Sequence, residues 1–150
     1  MSQVPDPVDC PYYLISRASL AITAVLKKEL TKVGAGEVRV SYLGVLLALW
    51  NADDCKIGDL GRRAGLEPST MTGVLDRMVR DGLVERGPDP DDRRALRIRL
   101  TDAGRAIQQP ILAAIEATMV RAMGGVDEAD QEQSKASLRR VLANTDRSEE

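Results

Sequence analysis

The chain has no histidine, no phenylalanine, a single tryptophan and two cysteines. Without histidine there is no imidazole for general acid–base work, no serine–histidine pair, and no access to most zinc sites. Cys10 and Cys55 lie far apart and match no metal-ligand spacing, and a structural disulfide between them would be unusual in a reducing compartment. No stretch approaches the roughly 18 consecutive apolar residues that a membrane span requires. The N-terminal segment MSQVPDPVDC carries acids where a secretory leader carries bases, and it lacks an apolar centre. These absences lead us to expect a cytoplasmic protein that is not an enzyme, with no cofactor, no metal and no membrane partner.

What is present is a 150-residue chain with 43% hydrophobic and 29% charged residues, the balance of a folded soluble domain. The net charge of −2 argues against nucleic acid at first sight, but the charge is unevenly spread. Residues 56–105 hold eleven basic side chains against nine acids, a net of +2, which leaves −4 for the two flanks. All but one of the eleven are arginine, whose planar fork suits phosphate and base edges.

Apolar spacing predicts a helix over 12–33, with Ile15, Ala18, Ile22, Val25 or Leu26, and Leu30 on one side and a Gly34-Ala35-Gly36 stop. A second helix, opening near Ser41, is apolar nearly all round and so should be the buried central element. Residues 56–64 predict a short helix with Ile57, Leu60 and Ala64 inward, ended by Gly65. Pro68 then opens another helix, where its missing N–H costs nothing, and Gly82 ends it. Met71, Val74, Leu75 and Met78 form its apolar face. Two helices joined by a short glycine-containing turn, the second polar at its N-terminus, make a helix-turn-helix.

A hairpin follows directly. Residues 83–86 and 94–100 are its predicted strands, GPDPDD is the loop, and Cys55 is expected in a loop ahead of the short helix. Leu96, Ile98 and Leu100 alternate with Arg97 and Arg99, which read as an exposed strand face. Thr101 is the expected cap of a long helix over 102–123, kinked at Pro110. A last helix is predicted over 127–143, with Leu138, Val141 and Leu142 apolar and the tail NTDRSEE frayed. The predicted fold class is mainly α: a winged helix-turn-helix with a small β-hairpin wing, flanked by N- and C-terminal dimerisation helices. We expect one domain over 1–150, with the DNA-binding lobe at 38–103 and a helical dimerisation region at 10–36 and 104–145. The terminal helices have no obvious place to bury their stripes on a domain this small, and a two-fold dimer would cover them.

The run from residue 57 to residue 107, and above all DRMVRDGLVER and DPDDRRALRIRLTDAG, resembles the multiple antibiotic resistance regulator (MarR) family of bacterial transcription factors. The resemblance implies a homodimer on a pseudo-palindromic double-stranded operator, with one recognition helix in a major groove and one wing near the adjacent minor groove. It further implies a repressor that a small aromatic or phenolic effector releases. By position, Ser69, Thr70, Thr72, Gly73, Asp76 and Arg77 fall on the recognition helix. Asp92 and Arg94 match the wing-tip acid and arginine, the acid orienting the arginine side chain, and Arg93 stands between them as a phosphate or groove contact. Gly73 departs from the family pattern, in which a larger polar or basic residue is common.

Each of these residues also has a plainer reading. Ser69, Thr70 and Thr72 are common helix caps, and Asp76 is spaced to pair with Arg80 along the helix. Trp50, Tyr42 and the methionines read as core. Cys10, followed by Pro11-Tyr12-Tyr13, raises the alternative of a thiol-based peroxide-sensing repressor. A reactive thiol needs a cationic neighbourhood, however, and Asp9 is the neighbour here. An alternative of another class is a winged-helix module that binds protein and not DNA.

Overall fold

The computed structural model describes residues 4–145. Helix α1 (Pro11–Lys32) begins with proline at its first turn and packs along α6 (Gln108–Ala122), burying Leu26 and Leu30 against Ile111 and Ala114. A 3₁₀ turn (Val40–Tyr42) leads into α2 (Leu43–Asn51), so the expected helix near Ser41 opens as a tighter turn. Val45, Leu46 and Leu49 of α2 are completely buried, as its all-round apolarity requires. The helix-turn-helix is α3 (Ile57–Ala64) and α4 (Pro68–Arg80). Gly65 joins them at φ +66°, a left-handed conformation that glycine adopts without Cβ strain. Leu60, Met71, Val74, Leu75 and Met78 close the core between these helices and α2.

Strands β2 (Val84–Pro88) and β3 (Leu96–Leu100) pair antiparallel, Val84 opposite Leu100 and Pro88 opposite Leu96. Ile98 and Leu100 are buried. Leu96 lies beyond the edge of the core and is exposed, although it shares their face. The sheet has a third strand that the sequence did not announce. Cys55 and Lys56 form β1, paired with Ile98 and Arg97, so Cys55 is a sheet residue and not a loop residue. Burial pushes its thiol pKa up, which favours the neutral thiol.

Thr101 caps the next helix as expected, its hydroxyl accepting the amide of Gly104 at 3.1 Å and donating to the Gly82 carbonyl at 2.5 Å. The expected single helix is instead two, α5 (Asp102–Ala106) and α6, with the break at Ile107. Pro110 is the physical cause: it offers no N–H to the Ala106 carbonyl and crowds that turn. Trp50 donates its indole N–H to the Gly104 carbonyl at 3.0 Å, tying α2 to α5. The last helix, α7 (Glu128–Thr145), has no buried residue. Asn144 and Thr145 continue this helix where fraying was expected; the remainder of the tail lies outside the described residues. No described helix is long and apolar enough to cross a membrane.

Candidate nucleic-acid interface

Helix α4 presents its N-terminal end and one flank to solvent. Glu67 occupies the N-cap position without a side-chain cap hydrogen bond, and Pro68 follows at the first helical position. Ser69 and Thr70 therefore lie inside the first turn, exposed, and neither is the cap. Thr72 donates its hydroxyl to the Pro68 carbonyl at 3.1 Å, one turn back, and remains exposed. Capping does not explain these three hydroxyl side chains. They lie exposed in the first turns of a 13-residue helix, at whose N-terminus a phosphate oxygen would find free N–H donors and a favourable dipole.

Gly73 and Arg77 follow on the same flank, half-buried. A Cβ on Gly73 would stand 3.6 Å from Arg77 Nη1, so the guanidinium lies alongside the glycine. Asp76 does not pair with Arg80. Its Oδ1 accepts Arg86 Nη2 from β2 at 2.5 Å, which brings Arg86 to the flank of α4. Sequence spacing gave no hint of this arginine, because its partner lies ten residues away on a different element.

The tip of the wing is a sequence of side-chain-supported turns. Asp89 is buried; its Oδ1 accepts the amides of Asp91 at 2.8 Å and Asp92 at 3.1 Å. The Asp91 amide first, then the Arg97 guanidinium, with the Asp92 amide adding to them, hold its carboxyl below the ordinary carboxylate range. Asp92 Oδ1 accepts the backbone amide of Arg94 at 3.0 Å. The acid thus fixes the Arg94 main chain, not the guanidinium as the resemblance implied. Among the described residues no acid forms an ion pair with Arg93, Arg94, Arg77 or Arg80, and Arg93 and Arg94 are exposed. Arg94 shares a shallow groove with Lys56 and Arg62 between the wing and the start of α3.

Arg97 and Arg99 depart from the expectation of a free strand face. Arg97 donates to Asp54 Oδ1 at 2.8 Å and to Asp89 Oδ2 at 2.9 Å, and Arg99 Nε lies 3.1 Å from Asp54 Oδ1. The two guanidiniums, Arg97 first, hold the Asp54 carboxyl below its ordinary range, and the same contacts raise the affinity of Arg97 for its proton. Within the core, Tyr42 donates its hydroxyl to Asp81 Oδ2 at 2.7 Å; burial, then this carboxylate, pushes the phenol pKa up. Cys10 is half-buried and occupies the N-cap position of α1, with no side-chain cap hydrogen bond. No described group of three or more Cys, Asp or Glu side chains is placed to hold a metal ion.

A helix-turn-helix whose second helix is open at its N-terminus, beside a three-stranded sheet whose hairpin ends in two exposed arginines, defines a winged helix-turn-helix. The MarR family profile matches residues 41–96. A MarR-family transcriptional regulator from Silicibacter pomeroyi is 32% identical to the chain, with 93% of this chain and 92% of that one covered and a TM-score of 0.72. The chain belongs to the MarR family and is a transcriptional regulator of that family. It is also similar to the PcaV regulator from Streptomyces coelicolor in complex with its natural ligand, at 27% identity, 99% and 100% coverage and a TM-score of 0.82. The repressor IacR of Pseudomonas putida is 26% identical over 136 residues, 91% of this chain and 80% of that protein. Other curated relatives match over shorter stretches, in which the chain spans 64% of one relative's length and 44% of another's.

Proposed function

We propose that the chain is a cytoplasmic, homodimeric repressor that grips a pseudo-palindromic operator and is released by a small aromatic or phenolic ligand. The observation that carries the DNA contact is the pair of exposed arginines, Arg93 and Arg94, with no acid paired to them among the described residues, on a wing tip whose turns are closed by Asp89 and Asp92. In this reading α4 enters the major groove. Ser69, Thr70 and Thr72 meet phosphate, Gly73 and Arg77 face base edges, and Asp76 acts by holding Arg86 beside them. The wing arginines enter the adjacent minor groove, whose negative potential attracts them where A·T pairs narrow it.

The repressor role draws on IacR, and release by a ligand draws on PcaV, whose structure holds its natural ligand. A ligand that prefers the protomer spacing unsuited to DNA lowers operator affinity by its differential affinity for the two states. Fluorescence anisotropy with duplexes from immediately upstream of the chain's own gene tests the reading. Affinity should fall steeply with salt, and Arg94→Ala should weaken binding by about tenfold or more, in the range of one strong groove contact. Unchanged affinity in Arg94→Ala would remove the wing from the interface. The position of Cys10 at the start of α1 favours a second reading, peroxide control through that thiol, which loss of peroxide sensitivity in Cys10→Ser would support.

A further inference from the structure

Asp54 stands in the turn between α2 and β1 with φ at +53°, the left-handed region that a non-glycine residue adopts at a cost. Its contacts run to the wing. The Arg97 guanidinium donates through Nε to Asp54 Oδ1, through Nη2 to the Asp54 main-chain carbonyl, and through Nη1 to Asp89 Oδ2. One planar side chain thus spans from the turn before β1 to the root of the wing loop. Asp89, with its other oxygen on the amides of Asp91 and Asp92, extends that connection to the residue before Arg93. Lys56 Nζ lies 4.0 Å from the same Asp89 oxygen, and Arg99 adds a second guanidinium on Asp54. The neighbouring Asp53 accepts the Leu100 amide at 2.9 Å and Arg105 Nη2 at 3.1 Å, which anchors the turn at the opposite end of β3.

We propose that Asp54, acting through Arg97 and Asp89, is a positioning residue for the wing: it sets where Arg93 and Arg94 stand and so the affinity for DNA. The inference rests on the reading that those two arginines touch DNA. The pairs of Asp54 with Arg97 and Arg99 are partly exposed, and such pairs contribute little to stability. A guanidinium whose donors are fixed at both ends instead defines a direction. Val84, Ile98 and Leu100 anchor the base of the hairpin in the core, but its distal half runs out past the exposed Leu96 with only the two-residue β1 beside it, so its direction there must come from side chains. The same pairs neutralise Arg97 and Arg99, leaving Arg93 and Arg94 as the cations of the wing with no acid on them.

Asp54→Asn keeps the size and the tolerance for left-handed backbone while removing the charge. Asp89→Asn keeps an acceptor for the Asp91 and Asp92 amides and removes the charge facing Arg97. Each is made in the full chain and titrated by anisotropy with the duplexes from upstream of its own gene, across a salt series. It is also made in an Arg93→Ala/Arg94→Ala background. We expect each to weaken binding by about tenfold and to flatten the slope of log K against log[salt] by about 1–2, since each cation withdrawn from the DNA removes about 0.9. In the background lacking both arginines the same substitutions should change affinity by less than about twofold, as expected when two changes act through one contact.

Should Asp54→Asn fail to fold, Asp89→Asn decides. Parental affinity and slope in the decisive variant, while Arg93→Ala/Arg94→Ala is weakened, overturns the positioning role alone. An equal loss with and without the two arginines overturns it too, because Asp54 would then act through general folding. Parental binding by Arg93→Ala/Arg94→Ala removes the wing contact and the inference together.

Discussion

Gly73 and Gly104 carry opposite constraints, and single substitutions separate them. A Cβ at Gly104 would stand 2.1 Å from the Leu83 carbonyl oxygen, so the start of α5 meets the end of the helix-turn-helix backbone to backbone. Thr101 seals the same junction, its amide on the Leu83 carbonyl and its hydroxyl on that of Gly82, while Trp50 holds it from behind. Gly104→Ala should therefore cost about 2–3 kcal/mol through forced displacement of a packed backbone, read as a lower denaturation midpoint with an unchanged m-value. A Cβ at Gly73 meets only Arg77 Nη1, at 3.6 Å, an ordinary contact. Gly73→Ala should stabilise the protein by about 0.5–1 kcal/mol, because alanine loses less backbone freedom in a helix interior. A destabilised Gly73→Ala protein would contradict the open flank described for α4.

At the scale of elements, the wing depends on carboxylates that must stay ionised. The folded-state pKa of Asp89 lies below its ordinary value of 3.8, so its contribution to stability is present above that value and is lost as pH falls through the lowered folded one. Urea unfolding of the parent and of Asp89→Asn should differ by a constant amount from neutrality down to about pH 5, and the two should converge below about pH 4. A gap that persists unchanged at pH 3 would show that the asparagine differs for a reason other than charge. The helices around this wing were readable in the sequence, because burial repeats at helical spacing and Pro68, Gly65 and Gly82 mark the boundaries. Strand β1 was not, since two residues are too few to alternate and they extend only because β3 offers an edge. The alternation LRIRL put Arg97 on the face opposite Ile98 but could not show that Asp54, 43 residues earlier, pairs with it there and leaves it only partly exposed. The Arg93–Arg94 tip was legible because turn chemistry is local; the partners Arg86 and Asp54 come from chain-distant packing, which leaves no periodic mark.

At the scale of the whole molecule, large apolar side chains stand exposed among the described residues. Tyr12, Leu14, Ile15 and Leu20 are exposed along the first half of α1, Met119 and Val120 on α6, and Leu138, Val141 and Leu142 on α7. Among the described residues, only the second half of the α1 stripe is covered, by α6. On α7 the three side chains are spaced to lie together, with no buried residue anywhere on the helix. Exposed apolar surface of this extent marks an interaction face, and in the proposed homodimer its occupant is the same set of helices from a second copy. Leu138→Glu combined with Leu142→Glu places charge in that seam. Sedimentation should then report the 16.3-kDa chain in place of a species of twice that mass, with helical content largely kept because neither residue belongs to the core of the protomer. The DNA consequence follows from two-fold symmetry. If, as proposed, each of two copies supplies one α4 and one wing, a monomer keeps about half the phosphate contacts, and the slope of log K against log[salt] should fall by about half. A monomeric variant with the parental slope would mean that one protomer makes every DNA contact, and that the apolar helices serve some other association.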